Sequence, residues 1–167
     1  VSALKSATGC RVIGPNNPKI ADIDETMTEG AQVTVLGYGF EVMEVPGHTL
    51  DHIAYYSAED GTLFCGDTLF VGGCGRVFEG TFPMMQQSLA KLSHLPSKTE
   101  VYCTHEYTMA NLSFARKVEP SNTDLMSHIQ TASESVTVIY PQCLRPLGKN
   151  CSLIPSSAGP PPPSSLS

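Results

Sequence analysis

Short apolar runs closed by glycine, proline or an Asp-Gly pair fill the stretch from Val33 to Cys65, and only after Gly80 does the apolar spacing lengthen to a helical period. A chain ordered in this way builds a sheet first and lays helices against it afterwards. Val33 and Val35, then Phe40, Val42 and Val45, alternate with polar or small residues around Gly37 and Gly39, which predicts two strands and a tight turn. Residues 53–56 and 63–65 form a second pair, turned at Asp60-Gly61. Thr81 can cap a helix with Pro83 in its first turn and Met85, Leu89 and Leu92 on one face, stopped by Pro96. Residues 100–104 read as a strand, Thr108 as the cap of a helix carrying Leu112, Ala115 and Val118, and residues 121–131 as the start of another helix. The pattern predicts an α/β layered sandwich rather than a bundle or an all-β barrel.

With 167 residues the chain has the size of one ordinary domain. No apolar run reaches the length of a bilayer span, which excludes a helical membrane protein, and residues 1–10 lack a signal-peptide core. A formal net charge of −6 disfavours nucleic acid and anionic membranes as partners, so a small molecule is expected. The six cysteines form no CxxC pair, which points to reduced thiols and a cytoplasmic setting, with a mitochondrial one the alternative. Cys65 and Cys103, inside apolar runs, read as buried small hydrophobes. After Ser133 only one acid, Glu134, and two bases, Arg145 and Lys149, remain, and residues 155–167 hold five prolines and five serines. That composition cannot supply a core, so a disordered tail is expected over 134–167, with a short strand at 136–140 the only element in it.

Three segments share one design, in which an apolar strand delivers a metal-binding side chain at its end. Residues 41–45 run into Pro46-Gly47-His48, residues 63–66 into Asp67, and residues 101–104 into His105. Strand ends are where α/β sheets collect ligands, and imidazole with carboxylate suits zinc and neighbouring divalent ions. Each residue alone also has an ordinary explanation, as a turn histidine, a loop cap or a hydrogen-bonded histidine. His52, four residues after His48, is expected to hydrogen-bond behind the ligands rather than bind metal. His94 and His128 fall in helical patterns and are expected to face solvent. The run Gly72-Gly73-Cys74-Gly75-Arg76 lacks a phosphate-loop order and reads as a mobile loop that lets Arg76 approach an anion.

Taken together, residues 46–52 (PGHTLDH), 64–70 (FCGDTLF), 73–81 (GCGRVFEGT) and 105–108 (HEYT) resemble glyoxalase II, hydroxyacylglutathione hydrolase, in order and spacing across about residues 1–130. The resemblance implies the metallo-β-lactamase type αββα sandwich and a site for two divalent ions, zinc with iron or manganese as alternatives. It implies that His48 serves one ion, His105 the other, and Asp67 bridges both. Arg76, Tyr107 and the segment holding Phe78 correspond to glutathione-contacting positions; Phe78 stands where some members carry tyrosine. The implied reaction is attack of a metal-bound hydroxide on the thioester of S-D-lactoylglutathione, releasing a 2-hydroxy acid and glutathione.

Persulfide dioxygenases share the PGHT, GD and GCGR elements, but they resemble GCGRTDFQ and HDY where this chain has residues 76–81 (RVFEGT) and 105–107 (HEY). Zinc lactamases usually place cysteine where Asp67 stands. The family's HxHxDH motif, which supplies its other ligands, belongs just before Val1, and its C-terminal helical segment belongs after residues 121–131. The expectation is therefore a fragment: a partial metallo-β-lactamase-like domain over 1–120, the start of a helical segment over 121–133 and a divergent tail over 134–167. Such a fragment holds only part of the ligand set, and an inactive, metal-binding or interaction remnant is the competing reading. Asp51, where glycine is frequent, is a lesser departure.

Overall fold

The computed structural model describes residues 1–136, with side chains through Ser133, and the pair Arg145–Pro146. A short helix α1 (Ser2–Thr8) leads into a parallel strand pair, β1 (Ile13–Pro15) and β2 (Glu25–Met27). Four antiparallel strands follow: β3 (Gln32–Val35), β4 (Tyr38–Glu44), β5 (Ile53–Ser57) and β6 (Thr62–Gly66). A small hairpin, β7 (Leu69–Phe70) and β8 (Gly73–Cys74), precedes helix α2 (Phe82–Ser93), which crosses over to β9 (Glu100–Cys103). Helices α3 (Thr108–Val118) and α4 (Thr123–Val136) pack as a pair, and β10 (Arg145–Pro146) comes last. The main sheet has the order β10-β9-β6-β5-β4-β3, with β9 parallel to β6 and antiparallel to β10.

Local chemistry explains the boundaries. Leu36 and Gly37 form the two-residue turn between β3 and β4 with φ of 53° and 89°, the left-handed pair that matches strand twist in a tight hairpin. Asp60 and Gly61 close the β5–β6 turn, where the Ser57 hydroxyl donates to the Asp60 carboxylate at 2.7 Å. Thr81 caps α2, its hydroxyl oxygen accepting the Met84 N–H at 3.3 Å.

One face of the sheet carries Met43, Val45, Ala54, Leu63, Cys65 and Val101, and Leu92 of α2 packs into this cluster. The opposite face carries Val42, Phe40, Ile53 and Tyr55. Beside them Phe64 stacks on Tyr102 with ring centroids 4.8 Å apart. This second face is open along a concavity of about 660 Å³ lined by Phe40, Tyr55 and Phe64, among others. Leu92 is fully buried, so Leu92→Ala is expected to lower the unfolding free energy by ~2–5 kcal/mol. Urea unfolding measures this, and a loss below ~1 kcal/mol would contradict the assignment of Leu92 to the core.

Several sequence expectations need correction. Thr108 is not a cap: it is buried inside the first turn of α3, and the Glu106 carboxylate accepts its N–H at 3.1 Å. Val118 is 40% exposed rather than part of the buried face. His128 is buried, because it lies between Leu125 and Ala132 on the face of α4 that packs on α3. Cys65 is buried as expected, whereas Cys103 is half-buried. Helix α4 begins at Thr123 and runs on to Val136, and Arg145–Pro146 pair with β9. The rest of the expected tail, residues 137–144 and 147–167, lies outside the described residues, as does the strand foreseen at 136–140 apart from Val136 itself.

Candidate metal centre

Because β4, β5 and β6 alternate in direction and β9 is parallel to β6, the C-terminal ends of β4, β6 and β9 lie on one edge of the sheet. All three foreseen ligands follow those ends. His48 comes after β4 on the Pro46-Gly47 bend, held where the Val45 N–H reaches the His52 carbonyl at 2.8 Å. The pairing of β6 with β9 slips between Phe64 and Gly66, and Gly66 then takes φ of 54°. A bulge of this kind re-aims the following side chain, here Asp67. His105 and the preceding Thr104 emerge from β9 beside it.

Asp67 is the centre of the arrangement. The Nε2 of His105 lies 3.1 Å from its Oδ1, and the Nε2 of His48 lies 3.8 Å from its Oδ2. Two donors bound to one tetrahedral ion at ordinary zinc distances stand about 3.3 Å apart, so each histidine forms with Asp67 a pair of suitable separation. The Nδ1 of His48 is 2.7 Å from the Arg76 carbonyl oxygen. Only a protonated Nδ1 can donate there, so Nε2, the ring atom nearest Asp67, is the one that would offer its lone pair to an ion.

His52 hydrogen-bonds to the backbone of Asp67. Its Nε2 accepts the Asp67 N–H at 3.0 Å, and its ring meets that of His48 edge-on at 5.7 Å. Burial, with His48 close by, pushes the His52 pKa down, which favours the neutral acceptor form. Among the described residues no three His, Cys, Asp or Glu side chains close around a single point; His48 and His105 instead address different oxygens of one carboxylate.

The remaining candidates surround these three residues. Phe78 packs edge-on against His48 at 5.1 Å, and the Arg76 guanidinium lies 5.6 Å from the centre of the Phe78 ring. Tyr107 stacks on His105 at 5.2 Å. Arg76, Phe78 and Tyr107 are all exposed. The loop carrying Arg76 is tied down rather than free. Gly75 donates to the Thr68 carbonyl at 3.1 Å, and Asn111 of α3 donates to the Val71 carbonyl at 3.1 Å.

A cleft of about 560 Å³ opens onto His48, His52 and Asp67, with Asn17, Asp51 and Glu79 also in its lining. Burial opposes ionisation of Asp51, but hydrogen bonds from Asn17 and Thr49 hold its carboxyl below the usual range. Sequence reasoning missed Thr104, Asn111 and Asn17. For Thr104 a signal existed, since it is a hydroxyl residue directly before the candidate ligand His105 at a strand end.

Residues 3–105 match the Metallo-beta-lactamase superfamily. The chain belongs to this superfamily. The chain is 57% identical over 134 residues to hydroxyacylglutathione hydrolase of Pseudomonas aeruginosa (strain LESB58), covering 80% of this chain and 52% of that protein. It thus spans about half the length of the curated relatives it matches, and its resemblance to glyoxalase II is borne out. Among solved structures, ETHE1 from Myxococcus xanthus is similar with a TM-score of 0.59 and 26% identity, covering 90% of this chain and 70% of that one. TTHA1623 in a di-iron-bound form is similar with a TM-score of 0.54 and 26% identity, covering 64% of this chain and 62% of that one. Superfamily membership implies divalent metal binding, and the imidazole and carboxylate donors around Asp67 fit that chemistry. No helix among the described residues is long and apolar enough to cross a membrane.

Proposed function

We propose that this chain carries one part of a glyoxalase II type centre that hydrolyses 2-hydroxyacylglutathione thioesters such as S-D-lactoylglutathione. The observation that carries the reading is the Asp67 carboxylate flanked on its two oxygens by His48 and His105, in a chain 57% identical to a named hydroxyacylglutathione hydrolase over 134 residues. His48 and His105 would each hold one divalent ion, zinc by preference, with Asp67 shared between them. When bound, such ions supply the charge that activates water near neutral pH and polarises a thioester carbonyl.

The chain's own residues orient the substrate. Arg76 offers a planar cation for a glutathione carboxylate, and Phe78 and Tyr107 give apolar walls on either side of the two ligand histidines. A thiolate leaves readily, so the arrangement needs no dedicated acid for the departing sulfur. That no three donors close around one point among the described residues favours a second reading for the isolated chain, an ion-binding remnant without turnover.

One experiment separates the readings. The chain alone, with added Zn²⁺, is expected to turn over S-D-lactoylglutathione weakly or not at all. Joined behind the HxHxDH-bearing segment of the Pseudomonas aeruginosa enzyme, it is expected to hydrolyse the thioester. A joined protein that binds zinc yet leaves the thioester intact would overturn the proposal, and oxygen uptake with glutathione persulfide would replace it with the dioxygenase reading.

A further inference from the structure

Asp67 is held by more than the histidines. The Thr104 hydroxyl donates to Asp67 Oδ1 at 2.8 Å, the same oxygen that His105 Nε2 approaches at 3.1 Å. At the other end of the residue, His52 Nε2 accepts the Asp67 N–H at 3.0 Å. The backbone between these points has little freedom. Gly66 sits over the His52 ring, where a Cβ would stand 2.6 Å from Nε2, and Gly75 packs against the Asp67 carbonyl oxygen with no room for a side chain. What is left to fix is rotation about the Asp67 side-chain bonds. Thr104 is delivered to do this by the parallel register, in which Gly66 pairs with Cys103 one residue earlier on each strand.

We infer that Thr104 is a positioning residue of the metal centre, whose hydroxyl pins Oδ1 of Asp67 so that Oδ2 faces His48. The inference rests on the reading of Asp67 as a shared ligand. An aspartate without this contact divides its time among staggered rotamers, and a site that is competent only part of the time binds correspondingly more weakly. Groups that orient a ligand in this way typically change metal affinity 10–100-fold. Thr104 is exposed, so an effect of about tenfold, at the low end of that range, is expected.

The test uses this chain with Thr104→Val, which keeps the shape and removes the donor, and Thr104→Ser, which keeps the donor. In metal-free protein, three-bond Hα–Hβ couplings of Asp67 report its rotamer. A single rotamer is expected in the unaltered chain and in Thr104→Ser, and averaged couplings in Thr104→Val. Titration with Co²⁺, followed by its visible absorption, is then expected to give about tenfold weaker binding for Thr104→Val, with most of the loss restored in Thr104→Ser. Unchanged couplings and unchanged Co²⁺ affinity in Thr104→Val would overturn the inference. So would a lower melting temperature with couplings intact, because that marks a merely structural role. Failure of the unaltered chain to bind Co²⁺ counts against Asp67 as a ligand, while the couplings still decide what Thr104 does.

Discussion

Asp67→Asn is expected to weaken binding of Zn²⁺ or Co²⁺ to this chain by more than about 100-fold, beyond the range seen when only a group behind a ligand is altered. Both histidines address this one carboxylate, His105 at 3.1 Å and His48 at 3.8 Å, so a single change removes the shared anion from both pairs. An amide is neutral and keeps only one oxygen. Folding should be largely spared, since the Asp67 N–H still reaches His52 and an amide oxygen can still accept from Thr104. Calorimetric titration alongside thermal melting reads the two effects separately. Ion binding within tenfold of the unaltered chain would remove Asp67 from the site.

Gly75→Ala is expected to damage the centre nearly as severely without replacing His48, Asp67 or His105. A Cβ on Gly75 would overlap the backbone carbonyl oxygen of Asp67, and it would come within 3.5 Å of His48 Nδ1. Backbone cannot step aside as a flexible side chain does, so the 75–76 segment must move. That movement breaks the 3.1 Å bond from Gly75 to the Thr68 carbonyl and disturbs the Arg76 carbonyl that holds His48 at 2.7 Å. A destabilisation above the ~1–3 kcal/mol usual for overpacking is expected, together with loss of ion binding. Gly39→Ala is the control, because nothing lies within 4 Å of its would-be Cβ. Denaturant unfolding of both variants checks this, and equal stabilities would contradict the tight seat assigned to Gly75.

The parts of this account legible in the sequence are those set by local signals. Alternation from Val33 to Cys65 found β3 to β6, and Thr81 with Pro83 found the start of α2, because periodicity and capping act over a few residues. The two-residue strands β7 and β8 were not legible. Their pairing depends on Gly72 turning at φ of 69° and on the seat beneath Gly75, both supplied by distant chain. His128 and Thr108 were misjudged for a related reason: which face of a helix is buried depends on the partner helix or loop, and a lone polar residue carries no mark of it. For the site, the three strand-end candidates His48, Asp67 and His105 could be named, and the resemblance to glyoxalase II motifs supplied the roles proposed for them. The sequence could not tell that His48 and His105 approach different oxygens of Asp67, since that follows from the parallel β6–β9 register and the bulge at Cys65. Thr104 was overlooked because its partner lies 37 residues away.

The central claim is that His48 and His105 act together through Asp67 as ligands of divalent ions, and imidazole NMR during a Zn²⁺ titration tests it most directly. The chain has five histidines, at 48, 52, 94, 105 and 128, so each ring can be assigned by substitution. The ring resonances of His48 and His105 are expected to shift with added Zn²⁺, with His48 remaining protonated on Nδ1, while those of His94 and His128 stay in place. Shifts confined to His94, or to one of the two ligand histidines with the other unmoved, would contradict the claim.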